Sequence, residues 1–185
     1  TAILVIDMIN EYADEKGKIY CKTAPNIISN INKLITFGRS HNWPIIFVNT
    51  ELSEKDRNSI LYKKWGPQAE SGTWHCNVID KLDQLSGDIT IQKTTFDGFY
   101  DSLLESTLNS LKIDNVVVTG IHTHVCVQFT AMSAANRGYN VIAIEECMTT
   151  GFQENHDTRL RLYQTHIGDL YKLNDFLTTS YLLYE

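Results

Sequence analysis

Five short apolar runs, AILVID (2–7), PIIFVN (44–49), DITIQK (88–93), NVVVTG (115–120) and NVIAIEE (140–146), constrain the fold more than any other feature of this chain. They alternate with segments of helical period. Runs apolar on successive residues belong to strands covered on both faces, and helices lying between them make those strands parallel. In the first connection Ile27, Ile28, Ile31, Leu34 and Ile35 repeat along one helical face, with Thr23 placed to cap and Pro25 tolerated in the first turn. Leu103, Leu104, Leu108 and Leu111 predict a second stripe, and Leu160, Tyr163 and Ile167 a third. DLYKLNDFL (169–177) reads as a last strand turning into a final helix.

The expected architecture is therefore α/β: one three-layer α/β/α Rossmann-like domain over residues 1–185, with a six-stranded, mainly parallel sheet in the order 3-2-1-4-5-6. Residues 51–87 stand apart. They are polar, interrupted by Gly66-Pro67 and Gly72, and longer than a routine connection, which predicts a lid over a binding site.

Composition narrows the function. At 185 residues and 43% hydrophobic content the chain can bury one core. Its 16 basic and 22 acidic residues give −6, spread along the chain, which argues against nucleic acid or an anionic membrane as partner and for a small molecule. No apolar segment reaches the length of a membrane span, and TAILVIDMINEY reads as a strand without the marks of a signal peptide, so a cytoplasmic location is expected. Cys21, Cys76, Cys126 and Cys147 form no C-x-x-C pair, which predicts free thiols.

Three polar residues fall where a doubly wound sheet builds its sites, at the carboxyl ends of strands. Asp7 ends the first run, Lys93 the third, and Cys126 follows the fourth after a short loop. Each alone has an ordinary structural explanation. Together they form a nucleophile set: a helix N-terminus favours the thiolate, a carboxylate takes its proton, and an ammonium keeps the carboxylate ionised.

LVIDMINEY, KTTFDGFYDSLLESTL, VVVTGIHTHVCVQFTAMSAANRGY and EECMTTGFQENHDTRL together resemble the isochorismatase-like cysteine hydrolases, a family that includes nicotinamidases and N-carbamoylsarcosine and ureidoacrylate amidohydrolases. The resemblance spans nearly the whole chain, and G-I-x-T-x-x-C-V is its specific motif. It implies Asp7 as general base, Lys93 as its charged partner and Cys126 as the nucleophile of an acyl-enzyme formed while ammonia leaves. It also implies a cis peptide at Ile121–His122 that aims the His122 N–H, with the Cys126 N–H, at the developing oxyanion. Thr123 is placed to cap a nearby amide, and Val125 N–H is the expected one, since the Cys126 N–H is needed elsewhere. Relatives of this kind commonly form homodimers or homotetramers.

The chain departs from the family at His122, where relatives carry a smaller residue, and a His122–Cys126 dyad is the rival mechanism. His124 is the poorer partner, being two residues from Cys126 and on nearly the opposite face if the helix has begun. The D-x-H pattern of metal-dependent nicotinamidases is missing from NTELSEKDRNS, so no metal and no cofactor are expected. Cys126 favours amide or ureide hydrolysis over isochorismatase chemistry, and SGTWHCNVIDKL with FDGFY resembles the carbamoyl and ureido branch. Tyr12, Trp65, Trp74 and Phe99 are candidates for the pocket wall, and Arg159 or Arg161 for holding a substrate carboxylate. A small-molecule carrier or a domain with a decayed site is the non-enzymatic alternative, although no G-x-G-x-x-G or G-x-x-x-x-G-K-[ST] phosphate cradle follows a strand.

Overall fold

The structure, a computed structural model, describes residues 1–184. Six strands, β1 (Ala2–Ile6), β2 (Ile45–Thr50), β3 (Ile89–Lys93), β4 (Asn115–Ile121), β5 (Asn140–Thr149) and β6 (Asp169–Tyr171), form one sheet in the order β3-β2-β1-β4-β5-β6. Every pairing is parallel. This is the order expected from the sequence. Strands β1 and β2 are buried at every residue, which is why their runs show no alternation.

The two faces of each strand feed two cores. Ile3, Val5, Phe47, Val117 and Ile142 pack against α2 (Pro25–Ser40) and α7 (Leu173–Thr178). Leu4, Ile6, Ile46, Val48, Val116 and Val118 pack against α4 (Leu104–Ser110), α5 (Cys126–Asn136) and α6 (Gln153–Leu162). The α2 stripe is buried as the periodicity required. Thr23 does not cap that helix. Its first turn opens with Ala24 and Pro25, and the Thr23 hydroxyl donates to the Thr150 carbonyl instead, because proline at the helix start removes one of the amides a cap would serve. The Leu103–Leu111 stripe is also narrower than its spacing implied: only Leu104 and Leu108 are buried, since the helix begins at Leu104 and leaves Leu103 in solvent.

Residues 51–87 are not a free lid. They contain a 3-10 turn over Glu54–Asn58, the helix α3 (Ile60–Trp65) and a second turn over Trp74–Cys76, and they are fastened to α1 (Asn10–Ala13). The Asn10 amide donates to the Trp74 carbonyl at 2.8 Å, and buried Glu11 accepts from the Ala69 N–H at 3.2 Å and the Lys18 N–H at 3.0 Å. An isolated bridge pairs Ile9 with Val78. A four-residue helix would not persist alone. Here all four residues are buried, and its side chains serve as fasteners. No helix among the described residues is long and apolar enough to cross a membrane.

The sheet reverses its winding between β1 and β4, where doubly wound folds open a crevice at the carboxyl ends. β4 changes register against β5 between Val118 and Gly120 at that point. Gly120 has φ +108°, and a Cβ there would sit 2.0 Å from the Ile6 carbonyl oxygen, one residue before Asp7. Gly120→Ala should therefore lower unfolding stability by roughly 3 kcal/mol or more, combining backbone strain with a clash against unyielding backbone. A urea midpoint unchanged from the parent would refute this close approach.

Candidate active site

Asp7 leaves β1 with φ +54°, in the left-handed region that side chains rarely occupy and that recurs at functional sites. Its N–H bonds to the Val48 carbonyl at 3.0 Å, which holds the turn against β2. The carboxylate is then gripped on both oxygens: Oδ1 accepts the Thr50 N–H at 2.7 Å, and Oδ2 lies 2.8 Å from Lys93 Nζ. That last contact is an ion pair, and Oδ2 has no hydrogen-bond partner among the described residues. Lys93 gives its other protons to Thr50 Oγ1 at 2.7 Å and the Thr95 carbonyl at 3.0 Å. Both charged side chains are buried. Burial works against the Lys93 charge, yet Asp7 and Cys126 outweigh it and hold the ammonium above its ordinary pKa.

Cys126 is the first residue of α5 and only 6% exposed. Asp7 and Lys93 are the two charged groups that act on its thiol. The thiol is not the resting thiolate that its helix position suggested. Burial pushes its pKa well up and the Asp7 charge adds to this, while Lys93 opposes them only in part. An 11-residue helix supplies about half a charge at most, too little against the desolvation of a sulfur anion beside a carboxylate. The arrangement at rest is thus a neutral thiol beside an ionised pair. Proton transfer from sulfur to Asp7 is available to it as part of nucleophilic attack.

The loop that carries Cys126 has a cis Ile121–His122 peptide. The Thr123 N–H bonds to the Thr149 carbonyl at 3.0 Å and so ties the loop to β5. The His122 carbonyl accepts from the Val125 and Val127 amides at 2.9 and 3.3 Å. Val125 is therefore capped by backbone, not by Thr123, whose hydroxyl pairs with His156 Nδ1 at 2.9 Å. Among the described residues the N–H groups of His122 and Cys126 have no protein acceptor. They are the donors an oxyanion would need.

The charged groups that act on the Cys126 thiol are Asp7 and Lys93. Burial, helped by His124, drives the His122 pKa down to about 4, against the pull of Asp7. Its Nδ1 and that of His124 are buried without a hydrogen-bond partner. The helix starts only at Cys126, so the opposite-face argument for His124 does not apply. Burial and then Arg159 lower the His124 pKa as well. The Arg161 carbonyl accepts from the Thr165 hydroxyl.

Of the four aromatic candidates, Tyr12 is buried and its phenol pKa is pushed well up by burial, then by Asp7 and Cys126. Phe99 belongs to the core, with the Arg137 guanidinium 4.7 Å from its ring centre. Trp65 and Trp74 are exposed on the segment after β2. Thr50, Glu11 and Gln68 were not singled out by sequence, although Glu11 stands four residues after Asp7 in the same short stretch. A surface hollow of about 670 Å³ lies along α2 near Lys81, away from this chemistry. No group of three His, Cys, Asp or Glu side chains among the described residues is arranged to hold a metal ion.

Residues 1–175 match the family model described as Isochorismatase domain. The ureidoacrylate amidohydrolase RutB of Pseudomonas syringae is 29% identical, the match covering 97% of this chain and 83% of that protein. An isochorismatase-like hydrolase from Alkaliphilus metalliredigens superposes with a TM-score of 0.89 at 26% identity, over 97% of this chain and 98% of the other. The N-carbamoylsarcosine amidase of Thermoplasma acidophilum does so with a TM-score of 0.82 at 25% identity, over 94% and 96%.

The neutral state of His122 has a pH consequence. Its folded pKa of about 4 lies below the ordinary 6.5, so its contribution is intact above 6.5 and is lost as pH falls towards 4. The loss should reach about 3 kcal/mol. Denaturant unfolding of the parent and of His122→Asn across that interval checks it, and the variant should show the shallower fall.

Proposed function

Because the chain belongs to the isochorismatase family, we propose that it hydrolyses a C–N bond of a small carbamoyl, ureido or amide compound through Cys126, releasing ammonia. The observation that carries this reading is that one buried thiol has an ionised carboxylate and an ammonium against it. The amidohydrolases among its relatives, RutB and N-carbamoylsarcosine amidase, support the carbamoyl and ureido classes.

In this reading the Cys126 proton passes to Asp7 as sulfur bonds to the substrate carbonyl carbon and the carbonyl electron pair moves onto oxygen. The His122 and Cys126 N–H groups receive that oxyanion. When it collapses, the C–N bond breaks and the nitrogen takes the proton from Asp7, leaving as ammonia. Water then attacks the thioester carbonyl and gives a proton to Asp7. The C–S bond breaks, sulfur recovers the proton, and the acid is released. Lys93 is the fixed positive charge paired with Asp7 through both half-reactions.

Ammonia release measured across N-carbamoyl amino acids, ureidoacrylate, nicotinamide and simple amides tests the reading. Cys126→Ala and Asp7→Asn should each reduce kcat/KM on the best substrate by about 10³-fold or more. Substantial turnover by Cys126→Ala would defeat the covalent mechanism, and full activity of Asp7→Asn would return the base role to His122.

A further inference from the structure

The loop that follows Lys93 is held by the same helix face that carries Cys126. Along α5, Cys126, Thr130 and Ser133 stand at i, i+4 and i+7 and so line one face. Buried Thr130 accepts the Gly98 N–H at 2.9 Å, and the Ser133 hydroxyl donates to Asp97 Oδ2. The approach is close. A Cβ on Gly98 would stand 3.0 Å from both Thr130 Cγ2 and Val48 Cγ1, so the loop lies against α5 on one side and β2 on the other. Asp97 also closes the loop on itself: its Oδ1 accepts the Phe99 N–H at 2.9 Å, and its backbone N–H and carbonyl each meet the Thr95 hydroxyl at 3.3 Å. The Thr95 carbonyl in turn accepts from Lys93 Nζ at 3.0 Å. An unbroken series of bonds thus runs from α5 through Asp97 and Thr95 to the ammonium.

A lysine ammonium is a point charge on a flexible stem, so its position is set by the groups it touches. Thr50 Oγ1 and Asp7 Oδ2 hold Lys93 from the β1 and β2 side, at 2.7 and 2.8 Å, and the Thr95 carbonyl holds it from the loop side. None of the three belongs to α5, the element that carries the sulfur. We propose that Asp97 is a positioning residue for Lys93: by accepting from Ser133 it ties the loop that holds the ammonium to the helix that carries Cys126, and so sets the distance between that charge and the sulfur. The proposal rests on the reading of Asp7, Lys93 and Cys126 as the reacting set. The charged groups acting on the thiol are Asp7 at the end of β1 and Lys93 at the end of β3, and both remain present in the variants at Asp97 and Ser133.

The probe is iodoacetamide. Its rate of reaction at Cys126 is followed against pH by mass spectrometry of the Cys126 peptide, which requires no knowledge of the substrate. Asp97→Ala frees the loop, and because Lys93 opposes the upward shift of the thiol pKa, a displaced ammonium makes the thiolate harder to form. Alkylation should slow about tenfold at a given pH, a displacement of the profile by about one unit. Asp97→Asn should stay within about twofold of the parent, since its amide oxygen can accept from Phe99 and its NH₂ can donate to Ser133. Ser133→Ala should slow the reaction about threefold or more, and in a Lys93→Met background Asp97→Ala should have no further effect, because no ammonium remains to be placed. A slowing by Asp97→Ala that persists in that background is general loosening and overturns the proposal. So does an unchanged rate in Asp97→Ala, or Asp97→Asn as slow as Asp97→Ala. Ser133→Ala at the parent rate overturns it too, and decides the matter even if Asp97→Ala or Lys93→Met does not fold. Lys93→Met alkylating as fast as the parent would instead remove the reacting set underneath. Absence of ammonia release with the expected alkylation pattern would count against the substrate class alone.

Discussion

The Asp7–Lys93 ion pair is the contact on which the site depends, and it is an expensive one to bury. Moving two such charges out of water costs several kcal/mol per ion even after relaxation, and a buried pair often contributes less stability than apolar residues of the same volume. Its retention at the carboxyl edge of the sheet is consistent with a role outside stability. The cost is contained because the charges are well supplied with partners: the Thr50 amide on one carboxylate oxygen, and the Thr50 hydroxyl and Thr95 carbonyl on the ammonium. Thr50 serves both ions at once. Strand β2 thereby fixes the distance between the ends of its two neighbours.

That pair also sets the charge states around it. Cys126 stays a thiol because a thiolate would be buried beside Asp7, and Lys93 compensates only in part. Cys147 is equally buried, and its thiol is also pushed up, with Glu146 adding to the effect of burial. What separates Cys126 from it is the buried ammonium and the route for its proton. The surrounding histidines are held neutral, His122, His124 and His156 all having lowered pKa values with burial as the first cause. The group of Asp7, Lys93 and Cys126 is therefore nearly neutral overall at rest, and in the proposed reaction charge separates only when sulfur attacks.

Helix α1 extends this organisation to the chain that follows β2. Asn10, Glu11 and Tyr12, three to five residues beyond Asp7, each reach a different point of the segment 51–87. Asp7 and these fasteners thus lie within six residues of one another.

Sequence alone determined the sheet and the identity of the central residues. Strands buried on both faces must be apolar throughout, and helices over them must carry a stripe, so β1, β2, β4 and α2 are written in composition and period. The positions of Asp7, Lys93 and Cys126 at strand ends, with the motif around the cysteine, were equally legible. Tertiary structure decided what depends on distances between segments far apart in the chain. The end of the Leu103 stripe, the loss of Thr23 and Thr123 as caps, and the placing of Phe99 in the core depended on neighbours that no local pattern specifies. The state of the thiol did too, because a helix N-terminus is visible in sequence while desolvation is not. Gln68 had no local signal: its amide meets Tyr12 and Leu61 only in the folded chain, because hydrogen-bond partners are a property of three-dimensional neighbours, not of residue order.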